Sequence, residues 1–131
     1  MGKKWTIDDV KSIYDSLLQV NCTGCGYCMP CPAGINIPSA FKNLNDYHMF
    51  SKTSGLLNHI QHAGIRTKDG KTHFTSVCID CGVCETKCPQ NIQIRHEFKH
   101  VKKHLEGPMP RFVSWAGRIF YKRKKKKTKK E

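Results

Sequence analysis

The chain is poor in acid, with ten Asp and Glu against 23 Lys and Arg over 131 residues, so its formal charge is +13. It also lacks several familiar signatures. Nothing at the N-terminus resembles a secretory signal, and the apolar stretch near the C-terminus is too short to cross a bilayer. No Gly-x-Gly-x-x-Gly follows a strand pattern and there is no Walker loop, which removes the commonest nucleotide-binding enzymes. Hydrophobic residues make up 38% of the chain, enough for one small domain with a limited core. Stability must come partly from elsewhere.

What the chain has in excess is cysteine, and all eight fall in two runs. Cys22 to Pro32 reads Cys-Thr-Gly-Cys-Gly-Tyr-Cys-Met-Pro-Cys-Pro, and Cys78 to Pro89 reads Cys-Ile-Asp-Cys-Gly-Val-Cys-Glu-Thr-Lys-Cys-Pro. Three thiolates at two-residue intervals wrap around one iron-sulfur cube, while a fourth, followed by proline, is placed to reach a second cube. The expected cofactors are therefore two 4Fe-4S clusters with crossed ligands. Cys22, Cys25, Cys28 and Cys88 would hold the first, and Cys78, Cys81, Cys84 and Cys31 the second. Each cluster would join both halves of the chain, so folding and cluster assembly should be coupled.

Disulfides fit poorly, because eight tightly spaced cysteines without a secretory signal point to metal in a reducing, cytoplasmic compartment. Zinc is the stronger rival. Zinc modules pair two-cysteine knuckles across a longer gap and have no use for a third cysteine at the same interval or for the Cys-Pro that follows. Gly24, Gly26 and Gly82 agree with iron-sulfur ligation, since they let backbone amides approach sulfur closely. One spacing departs from the commonest bacterial pattern: only Met29 and Pro30 separate Cys28 from Cys31, a short, stiff gap that limits the reach of Cys31.

Thr6 reads as a helix N-cap with Asp9 three residues on, and Val10, Ile13, Tyr14, Leu17 and Leu18 share one face of the helix that leads into the first run. The capping role is preferred over the myristoylation pattern that Gly2 and Thr6 also match. After Cys31, Ile35 and Ile37 cover the cluster in an extended exit, and Pro38 opens a helix carrying Phe41, Leu44 and Tyr47. A further helix carries Leu56, Leu57 and Ile60 and stops at Gly64, and Asp69-Gly70 marks a turn in an exposed loop or short hairpin. The second run repeats this order. Ile92 and Ile94 mirror Ile35 and Ile37, and a helix with Phe98, Val101 and Leu105 inward ends at Gly107-Pro108. The long stretch between the runs has helical apolar spacing and little alternation, so the fold class is all-α: a helical dicluster ferredoxin-like domain over 1–107, an amphipathic segment over 108–121 and a basic, disordered tail over 122–131.

From Cys22 to Pro38, and again from Cys78 to Gln90, the sequence resembles the C-terminal ferredoxin-like domain of the prokaryotic iron-sulfur aldo/keto reductases, including the shortened spacing before Cys31. The likeness runs from about the first helix to Leu105. It implies the dicluster electron-transfer domain alone, as a fragment or a separate subunit of an oxidoreductase, because a catalytic barrel needs roughly 250 residues. The helical arrangement is more distantly similar to the dicluster portions of succinate dehydrogenase and heterodisulfide reductase iron-sulfur subunits.

No separate catalytic residue is expected. The chemistry is outer-sphere, with single electrons passing through the clusters to a flavin- or NAD(P)-linked partner protein, and Ile35, Ile37, Val77, Ile79, Val83, Ile92 and Ile94 excluding water to keep the potential low. Tyr27 reads as a packing shield. His96, His100 and His104 form a helical stripe among Lys99, Lys102 and Lys103, which reads as a solvated face rather than a metal site. Eight basic residues from Lys122 to Lys130 against Glu131 alone supply +7 of the charge. The remaining body, at +6, falls to about +2 once two clusters of about −2 each are counted. Phe112, Val113, Trp115, Ala116, Ile119 and Phe120 lead into this basic tract. They suit either an anionic membrane surface or packing onto the domain, and nucleic acid ranks third. The alternative to electron transfer is an iron-sulfur or zinc binding module that works through the basic tail.

Overall fold

The computed structural model describes residues 2, 4–65 and 71–128, with the backbone alone over 123–128. Its order is α1 (Ile7–Leu17), α2 (Ile37–Met49), α3 (Lys52–His59), a π-helical turn (Ile60–Ile65), a 3-10 turn (Thr75–Val77), α4 (Val83–Lys87), α5 (Ile94–Leu105) and α6 (Pro108–Thr128). Among the described residues there is no strand, so the protein is all-α. The turn expected at Asp69-Gly70 lies outside the described residues.

α2 and α5 make the core because each presents apolar side chains at helical spacing. Ile37, Ala40, Phe41 and Leu44 come from α2, and Ile94, Phe98, Val101 and Leu105 from α5. The Phe41 and Phe98 rings meet with centroids 5.8 Å apart. Each of these buried rings is worth about 1.5–3 kcal/mol in transfer free energy. Asn36 caps α2, its side-chain oxygen accepting from Ser39 N, and Pro38 sits in the first turn, where its missing N–H costs nothing. The exits from the two cysteine runs end in the same core: Ile35, Ile37 and Ile94 are buried and Ile92 half-buried.

Two expectations change, and one apolar stripe is left uncovered. α1 forms with the Thr6–Asp9 capping box, yet none of its residues is buried. The Val10, Ile13, Tyr14 and Leu17 face lies at the surface, because α1 packs only lightly on α2 and the chain enters the core after it, at Val20. Gly64 does not stop the third helical segment, which continues as a π turn to Ile65. Here glycine serves close approach instead: a Cβ on Gly64 would stand 2.6 Å from Ser114 Cβ, and one on Gly117 would stand 2.6 Å from Ile65 Cδ1. α6 is thereby seated on the π turn. Finally, α6 runs across the expected boundary at 121/122 to Thr128, where a disordered tail was expected to begin. Lys and Arg are good helix formers, and neither Gly nor Pro interrupts 118–128.

Candidate metal centre

The first cysteine run threads between α1 and α2 through two left-handed glycines, Gly24 (φ 71°) and Gly26 (φ 78°), conformations that a Cβ would strain. The Met29-Pro30 peptide is cis. The second run bends at Asp80 (φ 55°) and Gly82 (φ 73°), the latter opening α4, and the Asp80 amide donates to Cys78 Sγ at 3.4 Å. An amide aimed at a sulfur is the donor geometry that thiolate-ligated clusters use.

The tertiary fold brings Cys88 across to the first run. Cys22, Cys25, Cys28 and Cys88 line one cleft, walled by Ile37, Phe41, Ile92 and Ile94. Burial pushes the Cys28 thiol up, and the neighbouring Cys22, Cys88 and Cys25 push it further. On the other side Cys84 is pushed up to about 11 by burial first, then by Glu85 and Cys78. Cys31, Cys78 and Cys84 all border the central core. Thiols held this way stay protonated until metal displaces the proton, so cluster binding releases protons. Four sulfurs around an apolar cleft suit an iron-sulfur cube.

The shielding is unequal. Ile35, Ile37 and Ile94 are buried as expected, but Val77, Ile79 and Val83 of the second run are 37%, 65% and 42% exposed. Tyr27 is exposed as well, not a packed shield. Ahead of the second run it is Phe74, not Val77, that enters the interior. The histidine stripe also divides. His96 and His100 stay exposed on either side of half-buried Glu97, the ligand atoms of the three within 4.8 Å of one another. His104 is half-buried against Tyr47 and His48, and burial lowers the pKa of both imidazoles.

Polar side chains that sequence reasoning missed anchor each run just upstream of its first cysteine. Buried Asn45 on α2 accepts from Gln19 N and Val20 N, both at 3.0 Å, and donates to Val20 O at 2.9 Å. Buried Glu106 at the end of α5 accepts from Thr75 N at 2.6 Å, Thr75 Oγ1 at 3.0 Å and Ser76 N at 3.0 Å, and pairs with His59 Nε2 at 2.9 Å. A weak signal for Asn45 was available: asparagine is a poor residue for a helix interior unless its side chain has a task.

Arg95 is the third such residue. Its guanidinium lies over the second run, with Nε and Nη2 on Glu85 at 3.1 and 2.9 Å and Nη1 on the Asp80 carbonyl at 3.3 Å. A Cβ on Gly82 would meet its Cζ at 3.5 Å. These bonds hold the Glu85 carboxyl below its ordinary value. A cation beside a redox centre favours the added electron, so Arg95→Gln should lower the potential of the cluster at the second run, by tens of millivolts for an exposed, screened charge. Redox titration followed by EPR reads this directly; an unchanged pair of potentials would assign Arg95 to loop structure alone.

Residues 21–92, more than half of the chain, match the family model described as the 4Fe-4S dicluster domain. No curated protein and no solved structure matches the chain.

Proposed function

We propose, from the premise that this chain belongs to the 4Fe-4S dicluster domain family, that it is an electron-transfer protein or subunit. Its eight cysteines fit two 4Fe-4S clusters, and the observation that carries the reading is the cleft in which Cys88 joins Cys22, Cys25 and Cys28. When bound, the clusters supply reversible one-electron chemistry. The chain's part is to hold and tune them. Cys22, Cys25, Cys28 and Cys88 would ligate the first, and Cys78, Cys81, Cys84 and Cys31 the second. Ile37, Phe41, Ile92 and Ile94 keep water from the first, and Arg95 sets charge beside the second.

The less shielded second run is the side from which a partner protein would approach most closely, across exposed Ile79 and Val83. The partner we propose is a flavin- or NAD(P)-linked oxidoreductase. The resemblance of both cysteine runs to the iron-sulfur aldo/keto reductases favours a reductase barrel of that type as one such partner.

An anaerobic iron and acid-labile sulfide assay with a reduced-state EPR spectrum tests the reading. It should return about eight irons and eight sulfides per chain, with a spectrum broadened by coupling between two paramagnets. Zinc without sulfide would end the electron-transfer proposal.

A further inference from the structure

α6 turns the wrong way for a helix that only completes a core. Its inner contacts are made by small or stiff residues: Pro110 and Ser114 are buried, and Gly117 and Ser114 meet the π turn. The large apolar residues face out instead. Met109, Phe112, Val113, Trp115 and Phe120 are 74%, 66%, 42%, 54% and 70% exposed, with Ile119 between them. At 100° per residue these positions share one broad stripe of the helix opposite Pro110, Ser114 and Gly117. Arg111, Arg118 and Lys122 fall together along one edge of that stripe.

Charge says what covers this face. From Pro108 to Lys130 there is no Asp or Glu, while Arg111, Arg118 and the tract from Lys122 to Lys130 supply ten cations. Arg111 and Arg118 also share a cleft with Thr72, Ser76 and Ser114. Arg118 Nε is buried and has no hydrogen-bond partner among the described residues. A guanidinium donor left over beside hydroxyls suits a phosphate oxygen. No described helix is long and apolar enough to cross a membrane, so an amphipathic helix of this kind lies along one.

We propose that α6 binds the surface of a membrane bearing anionic phospholipid headgroups, its Met109, Phe112, Trp115 and Phe120 face entering the interface and Arg111 and Arg118 taking headgroup phosphate. The apolar face separates this from nucleic-acid binding, which needs the cations but not five large exposed apolar side chains. Because Phe74 and Ser76 line the Arg111–Arg118 cleft and lead to Cys78, membrane docking holds the second cysteine run close to the lipid surface.

The test is vesicle flotation of the cluster-loaded full chain. It should float with phosphatidylcholine–phosphatidylglycerol vesicles and not with phosphatidylcholine alone, and added salt should release it. In a Trp5→Phe background the Trp115 emission should shift to the blue on binding. Phe112→Ser/Phe120→Ser, both exposed and so neutral to the fold, should weaken binding at least tenfold with the visible cluster absorbance unchanged. Arg111→Gln and Arg118→Gln should each cost about fivefold. Failure to float, or equal flotation on neutral vesicles, overturns the proposal. So does a duplex DNA complex of equal salt sensitivity that Phe112→Ser/Phe120→Ser leaves intact, which would give the helix to nucleic acid. A dimer in sedimentation velocity that the same variant dissolves would give the face to a second copy.

Discussion

Cys22→Ala/Cys88→Ala should retain about four irons per chain, whereas Cys78→Ala/Cys88→Ala should retain almost none. Which thiols share a cube decides both results. If Cys88 completes the cluster of the first run, removing it and Cys22 damages one site twice and spares the other. Removing Cys88 with Cys78 damages both. Uncrossed ligation predicts the opposite pair of results, so the two double variants separate the topologies without a structure of the loaded protein. The cleft shared by Cys22, Cys25, Cys28 and Cys88 favours crossing. Iron and sulfide analysis after anaerobic reconstitution reads the outcome, and four irons in Cys78→Ala/Cys88→Ala would refute the crossed assignment. Loss of the first site should also loosen the fold, since that cluster joins the segment before α2 to the segment before α5.

The second large effect belongs to Glu106. Its side chain is fully shielded from solvent, and it takes four hydrogen bonds from His59, Thr75 and Ser76. Glu106→Ala leaves buried donors and an unpaired imidazole, and should destabilise by about 3–5 kcal/mol in denaturant unfolding. Glu106→Gln keeps the shape but turns an amide N–H₂ toward donors, and should cost about 1–3 kcal/mol. Because the bonds to Thr75 and Ser76 fix the turn just before Cys78, both variants should lose iron from the second run before the first.

The pH dependence of this contribution has a definite sign. Burial alone would raise the Glu106 pKa, but the hydrogen bonds from His59 and Thr75 outweigh it and hold the carboxyl below its ordinary value of 4.5. A carboxylate with a depressed native pKa stabilises the fold above its unfolded pKa, and that stability is lost as pH falls through the native value. The gap in unfolding free energy between the native chain and Glu106→Gln should therefore be full at neutral pH and narrow on acidification below 4.5. The gap is read only over the pH range in which iron analysis finds both proteins fully loaded, so that acid loss of the clusters does not enter it. A gap that widens in acid would mean the carboxyl is buried neutral.

Particular residues show what was legible. The Thr6–Asp9 box, the Pro38 helix start and the inward Phe98, Val101 and Leu105 were readable because each depends on neighbours within a turn or two. The shared face of α1 was legible in the same way, but not its exposure: periodicity shows which residues share a stripe, not whether anything lies against it. Ile79 and Val83 look like shielding residues beside cysteines, yet exposure depends on what the rest of the chain leaves uncovered. The continuation of α6 past 121 was missed because a lysine tract reads equally as a solvated coil or as a good helix.

The sequence by itself determined the chemistry. Two runs of four cysteines, the first three of each at two-residue intervals and the fourth followed by proline, specify thiolate ligation of two cubes through local spacing, and the apolar periods specify helices. The tertiary structure alone decided what depends on distant segments meeting: Asn45 and Glu106 clamping the approaches to the two runs, Arg95 over Gly82, and the outward turn of the aromatic face of α6. A repeat pattern carries no term for contact between residues far apart in the chain. The close approach of Gly64 and Gly117 to the residues opposite them seats α6 by its small side, with Phe112, Trp115 and Phe120 on the outside.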